Sequence, residues 1–147
     1  MKENWQKSLL KNYPFQLPQA MEWGDMDAFA HLNNVAYIRY FENLRTRLLE
    51  HIGLMTPAGV PPTIGPILAK IDCRFLAPVS YPDDLFLGGK IGEIRESDFF
   101  IESVLASKKH NKIAAIGTHR VVAFDYSTQQ KALLSPEIKS ALMLLTH

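Results

Sequence analysis

Two periodicities share this chain, and the switch from one to the other limits what it can fold into. From Val35 the apolar residues fall at Ile38, Phe41, Leu44, Leu48 and Ile52, in steps of three or four. That spacing is the stripe of an α-helix. Tyr37, Tyr40 and Leu49 widen the stripe, so the helix is expected to be covered on more than one side. Gly53 is a suitable stop. From Ile67 the period drops to two. Ile67, Ala69, Ile71, Cys73 and Phe75 alternate with Leu68, Lys70, Asp72, Arg74 and Leu76, which predicts a strand with one buried face.

The remaining segments fill in the order. Tyr13 to Trp23 has strand character broken by prolines and suits an edge strand. Thr56 to Pro66 holds four prolines and two glycines and reads as a loop. Leu85 to Ile94 is a second strand, whose glycines suggest a bulge or tight curvature. Phe99 to Lys108 and Ile113 to Tyr126 are two more, joined by a hairpin turn. Ser135 as N-cap and Pro136 at the first helical position open a short terminal helix. Strand, long helix, then four strands on short connections favours antiparallel neighbours. The simplest packing is α+β, one antiparallel sheet wrapped around one very apolar helix. Such a sheet often needs a partner to cover or extend it, so an oligomer is expected. The length, 147 residues, suits a single domain spanning residues 1–147.

Charge and cysteine content narrow the function classes. Sixteen basic against fifteen acidic residues gives a net charge of +1, with no electrostatic case for nucleic acid or a charged membrane surface as partner. Neither a signal-peptide core nor a membrane-spanning apolar run is evident, and a cytoplasmic location is expected. The single cysteine, Cys73, precludes an internal disulfide and a multi-cysteine zinc site. Cys73 is expected to be a buried core thiol rather than a nucleophile. No histidine pair at helical spacing and no acidic cluster supports a metal.

The polar residues crowd into one place. Asp25, Asp27, His31, Asn33 and Asn34 lie immediately before the long helix. Capping explains some of them: Asn33 or Asn34 can accept from the helix start, and Asp25 or Asp27 can structure a turn. It does not explain Asp27, His31, Asn33 and Asn34 together. A helix N-terminus offers unpaired N–H groups and partial positive charge, suited to the oxyanion formed when a carbonyl is attacked. A nearby carboxylate can act as nucleophile or as general base for water. A histidine and an amide side chain can orient the reacting groups. Together these describe an acyl-transfer site without a serine, for which a thioester is the fitting electrophile.

The stretch from Asp25 to Glu42, "DMDAFAHLNNVAYIRYFE", resembles the signature of the hotdog-fold thioesterases. It looks like the 4-hydroxybenzoyl-CoA thioesterase group and is similar to the plant acyl-ACP thioesterases. The order of elements resembles theirs too, as does the turn "FLAPVSYPDDL". The resemblance implies a hotdog fold and hydrolysis of an acyl-CoA or acyl-ACP thioester, with coenzyme A entering as part of the substrate rather than as a cofactor. It implies Asp27 as the catalytic carboxylate, the backbone N–H of Asn34 as oxyanion donor and His31 as assistant. Phe29 stands where the acyl-ACP enzymes have asparagine, which implies an Asp27-centred mechanism with a more apolar wall. Phe29, Asn33 and Tyr37 are the expected substrate-binding residues, and the site is expected at the interface of a homodimer or homotetramer.

Other residues have weaker claims. Arg74, Lys108 and Lys109 could meet coenzyme A phosphates or simply be solvated. Glu42 and Arg45 have the spacing of a helix-surface ion pair. His119 is expected as a hydrogen-bonded core histidine, and His110 as a turn residue. Two rival functions remain. One is a hydratase or dehydratase on the same fold, whose usual histidine-led signature is absent. The other is a non-catalytic acyl-CoA binder.

Overall fold

The computed structural model describes residues 4–56 and 63–147. A one-turn helix α1 (Gln6–Leu9) leads into strand β1 (Phe15–Gln19), a 3-10 turn (Trp23–Asp25) and the long helix α2 (Asn34–His51). Strands β2 (Ile64–Phe75), β3 (Leu85–Ile94), β4 (Asp98–Ser107) and β5 (Lys112–Asp125) follow, then the two-residue β6 (Gln130–Lys131) and helix α3 (Pro136–Met143). The strands form one antiparallel sheet in the order β1-β3-β4-β5-β2, with β6 attached to β5. The sheet curls around α2, as the two periodicities require. Ser135 caps α3 through Ile138 N–H, and Pro136 is its first residue, as expected.

Helix α2 is held by its apolar face. Tyr40, Phe41, Leu44 and Leu48 are fully buried, and Tyr37 and Leu49 nearly so. Burying one such side chain contributes about 1.5–3 kcal/mol. The surface pair Arg47–Glu50, 4.0 Å apart on a mostly exposed stretch, contributes only tenths of that. Packing therefore decides where α2 lies. The approach is close enough to require glycine on the sheet beneath. A methyl group on Gly117 would stand 2.8 Å from the Phe41 ring, and one on Gly89 3.1 Å from Leu44. The glycines expected to mark curvature in β3 thus also mark contact.

Strand β2 departs from the expected pattern. It begins at Ile64, inside the segment read as a loop, whose residues 57–62 lie outside the described ones. Its ladder with β5 slips between Leu68 and Lys70, so Ala69 is an extra residue in a bulge. The bulge resets the alternation. Leu68 pairs with inward-facing Val121, and after it Ile71 pairs with inward-facing His119. Ile67 and Ala69 therefore do not join Ile71 and Cys73 on one buried face. Because β2 is the last strand of the sheet, even its inward residues are incompletely covered. Cys73 is half-buried, and Phe75 is 49% exposed. Burial, with the Asp72 charge second, still pushes the Cys73 thiol up to about 11, so it stays protonated at neutral pH.

The core contains one polar chain. His119 is completely buried beneath Phe41. A guanidinium only donates, so Arg45 Nη1 at 3.0 Å makes His119 Nδ1 the acceptor. The Nε2–H then donates to Ser103 Oγ at 2.6 Å. Arg45 is thus turned inward to the histidine rather than ion-paired with Glu42 on the helix surface. Arg120, the next residue on β5, faces the other side and pairs with Asp98 at 2.7 Å.

Burial, with the Arg45 charge second, pushes the His119 imidazole down to about 3. Its folded pKa lies below the ordinary value of about 6.5, so stability is complete above that pH and falls toward about 3 as the unfolded chain takes up the proton. The slope contributed is up to about 1.4 kcal/mol per pH unit. Denaturant melts at pH 7 and pH 5 should show this loss, and His119→Gln should flatten it.

Candidate functional site

The segment before α2 is fastened at two points by two aspartates with different neighbours. Asp25 faces the helix. Its carboxylate accepts from Tyr40 Oη at 2.6 Å, from Arg39 Nη2 at 2.6 Å and from Glu22 N–H at 3.0 Å. Its backbone carbonyl accepts from Asn33 N–H at 2.9 Å. The hydrogen bond from Tyr40, reinforced by Glu22 N–H and the Arg39 charge, holds the Asp25 carboxyl below the usual carboxylate range. Tyr40 is driven the opposite way by burial and by the same carboxylate. Asp25 thus ties the incoming chain to the first turns of α2, the loop-structuring role the sequence allowed it.

Asp27 organises the next turn. Its Oδ1 accepts from Phe29 N–H at 2.8 Å and from His31 N–H at 3.3 Å. Its own N–H donates to His31 carbonyl at 2.8 Å. The turn carries Ala30 at φ 59, a left-handed conformation costly for any residue with a side chain. It is held there from outside. Ser80 Oγ donates to Ala30 carbonyl at 2.9 Å, and Leu32 N–H donates to Val79 carbonyl at 2.7 Å. The β2–β3 connection is in turn braced by the β4–β5 hairpin: Lys109 Nζ donates to Ser80 carbonyl at 3.3 Å, and His110 Nε2 lies 2.6 Å from Pro78 carbonyl.

The start of α2 shows which asparagine caps. Asn33 is the N-cap, its side-chain oxygen accepting from Val35 N–H at 3.0 Å. Its carbonyl accepts from the N–H groups of Ala36 and Tyr37. Among the described residues, the N–H of Asn34 donates to nothing. That is the one donor of the first turn left over once capping is complete.

Asp27, His31, Asn34 and Tyr37 line one groove of about 330 Å³, closed on the far side by Phe75, Leu76, Ala77 and Pro78. Four of the seven residues singled out for the site therefore meet. Three do not line the groove. Asn33 is spent on the cap. Phe29 is 81% exposed, because the turn that Asp27 closes swings it outward. Arg74 is exposed on β2, and Lys108 and Lys109 belong to the hairpin and its braces. Tyr37 is both core and wall: it is buried, stacks edge-on against Phe75 at 4.9 Å and donates to Ala77 carbonyl at 3.4 Å. Sequence reasoning missed Ser80, Tyr40 and Arg39. Ser80 is fifty residues from the turn it holds, and no local pattern marks it.

Among the described residues no group of three histidine, cysteine, aspartate or glutamate side chains could hold a metal ion. No helix there is long and apolar enough to cross a membrane.

A family model described as the thioesterase-like superfamily matches residues 21–142. No curated protein matches the chain. Among solved structures, protein PA5185 of Pseudomonas aeruginosa is 24% identical, with a TM-score of 0.81 over 94% of this chain and 95% of that one. A thioesterase from Thermus thermophilus, complexed with coenzyme A and zinc, is 19% identical with a TM-score of 0.78 over 92% and 96%. Protein SAV2348 of Staphylococcus aureus, in complex with coenzyme A, is 12% identical with a TM-score of 0.81 over 89% and 82%. The hotdog fold is common ground with these structures.

The Asp25 clamp is testable through stability. Asp25→Asn should cost about 1–3 kcal/mol at pH 7, since it weakens hydrogen bonds to an ionised carboxylate. The folded pKa lies below the unfolded one, so the stabilisation is full above about pH 4 and lost as pH falls through the folded value. The difference between wild type and variant in denaturant melts should therefore shrink in acid.

Proposed function

Because the chain belongs to the thioesterase-like superfamily, we propose that it hydrolyses an acyl thioester, acyl-CoA or acyl-ACP, to a free acid and a thiol. One observation carries this reading: an unpaired N–H at Asn34 and the carboxylate of Asp27 share one groove. Coenzyme A in two of the structural relatives supports the substrate class.

The thioester oxygen points at the Asn34 N–H, where the helix N-terminus also offers its partial positive charge. As the carbonyl becomes tetrahedral, its oxygen gains charge and that hydrogen bond strengthens. One such donor is worth roughly 3–4 kcal/mol in a water-poor site. Asp27, oriented by the two N–H groups on Oδ1, keeps its other oxygen for chemistry. Two routes begin there. In one, the carboxylate attacks the carbonyl carbon, the C–S bond breaks, and the thiolate leaves a mixed anhydride that water then opens. In the other, the carboxylate takes a proton from water, whose oxygen attacks directly, and the proton passes to the departing sulfur. His31, on the rim of the groove, orients water or the leaving group. The acyl group lies along Tyr37 and Phe75.

The wall formed by Phe75 and Leu76 lies on the open edge of β2, and both side chains are half-exposed there. This supports a homodimer or homotetramer with the site at the subunit interface.

Asp27→Asn should lower kcat/KM on acyl-CoA by about 100-fold or more without changing the thermal melt. His31→Ala should cost less. Asn34→Pro tests the oxyanion donor by itself. Proline suits the first helical position, and Asn33 already has the extended backbone, φ −64 and ψ 141, that must precede it. The fold should survive and kcat should fall by about 100–1,000-fold. Single turnover in heavy-oxygen water tests the first route, since label entering the Asp27 carboxylate requires the anhydride. Acyl-CoA binding with no thiol release from the wild type would overturn the enzymatic reading in favour of a binding protein.

A further inference from the structure

Arg45 is a cation turned inward without an anion. Of the six arginines, Arg39, Arg47, Arg95 and Arg120 each meet a carboxylate. Arg74 is exposed to solvent. Arg45 is half-buried, and its hydrogen bond goes to a neutral imidazole, at His119 Nδ1. A guanidinium carries five N–H groups. Among the described residues no acceptor meets the other four, and no carboxylate lies within ion-pair distance. Residues 57–62 contain no acid that could supply one. Burial works against the Arg45 charge, and Glu42 on the helix surface offsets it only in part. A desolvated charge is costly until it is paired.

The guanidinium opens onto a cavity. Arg45 and Thr46 line a space of about 170 Å³ between the second half of α2 and the first half of β2. Among the described residues the Thr46 hydroxyl makes no hydrogen bond. The other walls are apolar: Leu49 and Val121 are buried, and Met55 and Leu68 are partly exposed. The Ala69 bulge follows Leu68 directly, and a bulge bends the strand that carries it. None of these residues lines the groove of Asp27 and Asn34.

One cationic corner in an apolar space defines the ligand. A doubly charged anion would leave charge unpaired against Leu49 and Val121. A neutral amide would leave the guanidinium without a counter-charge. A monocarboxylate offers one negative charge on two coplanar oxygens, and its tail suits the apolar walls. At about 30 Å³ for each water-sized group, the space holds roughly six non-hydrogen atoms. We propose that this cavity binds a short-chain monocarboxylate, its head on Arg45 and Thr46 and its tail against Leu49, Met55, Leu68 and Val121. Butanoate has the required size. With Nη1 on His119, the Nε and Nη2 edge of the guanidinium remains for two parallel hydrogen bonds to the carboxylate. A free acid of this class is also what the proposed hydrolysis releases, and that clause alone rests on the thioesterase reading.

Met55 gives the cavity its own reporter. With the methionine methyl groups labelled with carbon-13, Met55→Leu identifies its resonance. Met26, whose sulfur accepts from Tyr81 N–H in the β2–β3 connection, reports on the groove side. Butanoate should shift the Met55 resonance saturably, with a dissociation constant on the order of millimolar for so small a ligand. Butanamide, of the same shape without the charge, should bind at least about tenfold more weakly. Arg45→Gln removes the charge and keeps a donor for His119, and it should weaken butanoate to the same extent. Leu68→Trp fills the cavity from a position 38% exposed and leaves the Arg45–His119 bond in place, so it should abolish the shift. If Arg45→Gln fails to fold, Leu68→Trp carries the test. No shift at Met55, an equal shift with butanamide, or undiminished binding by either folded variant would overturn the assignment. A shift at Met26 alone would put the acid in the groove and overturn it too. No thioester enters these titrations. A protein that binds butanoate at Met55 and cleaves no acyl-CoA would sink the proposed hydrolysis and leave the cavity standing, and an active enzyme with no shift at Met55 would do the reverse.

Discussion

The closeness of α2 to the sheet is the constraint on which the other features depend. Gly117 and Gly89 let the rings and branches of Phe41 and Leu44 sit almost on the backbone of β5 and β3. With the helix seated that deeply, its first turn has one position relative to the β2–β3 connection. The groove exists because that turn ends beside Ala77 and Pro78. The same depth covers His119 and obliges it to be neutral, since a charged imidazole under Phe41 would be unhydrated and next to a guanidinium. A buried polar chain of Arg45, His119 and Ser103 is compatible with stability only because each link finds a partner of the right sense.

The two aspartates before the helix differ in how far their neighbours occupy them. Asp25 is saturated by a tyrosine, an arginine and backbone donors, so its charge is stabilised where it stands and it has nothing left to give a substrate. Asp27 accepts two short-range N–H groups on a single oxygen and looks into the groove. The helix start shows the same division. Asn33 satisfies one donor and leaves that of Asn34 over, so capping and the proposed oxyanion site are complementary uses of one turn.

Much of the fold was legible in the residues because period and packing coincide. The Val35 to Ile52 stripe became α2, and the glycine-bearing strand read at Leu85 to Ile94 became β3 to the residue. Strand β2 was read less well. A bulge is a mismatch with a neighbouring strand, and nothing in "ILAKIDC" announces which residue its partner will skip. Cys73 and Phe75 looked like core because they alternate correctly. They are only partly covered because β2 is last in the sheet, and strand order is not a local property.

The sequence by itself determined the kind of elements, the helix whose start bears the candidate site, and the candidate residues Asp27, His31, Asn34 and Tyr37, because spacing, capping and side-chain chemistry are properties of a few consecutive residues. Tertiary structure decided the rest. It turned Arg45 inward to His119, swung Phe29 out of the groove, spent Asn33 on a cap and set Ser80 to hold a turn fifty residues away. The inward turn of Arg45 and the reach of Ser80 depend on which distant groups lie within about 3 Å of a donor. That is fixed by how deeply α2 seats in the sheet, and no stretch of the chain encodes it alone.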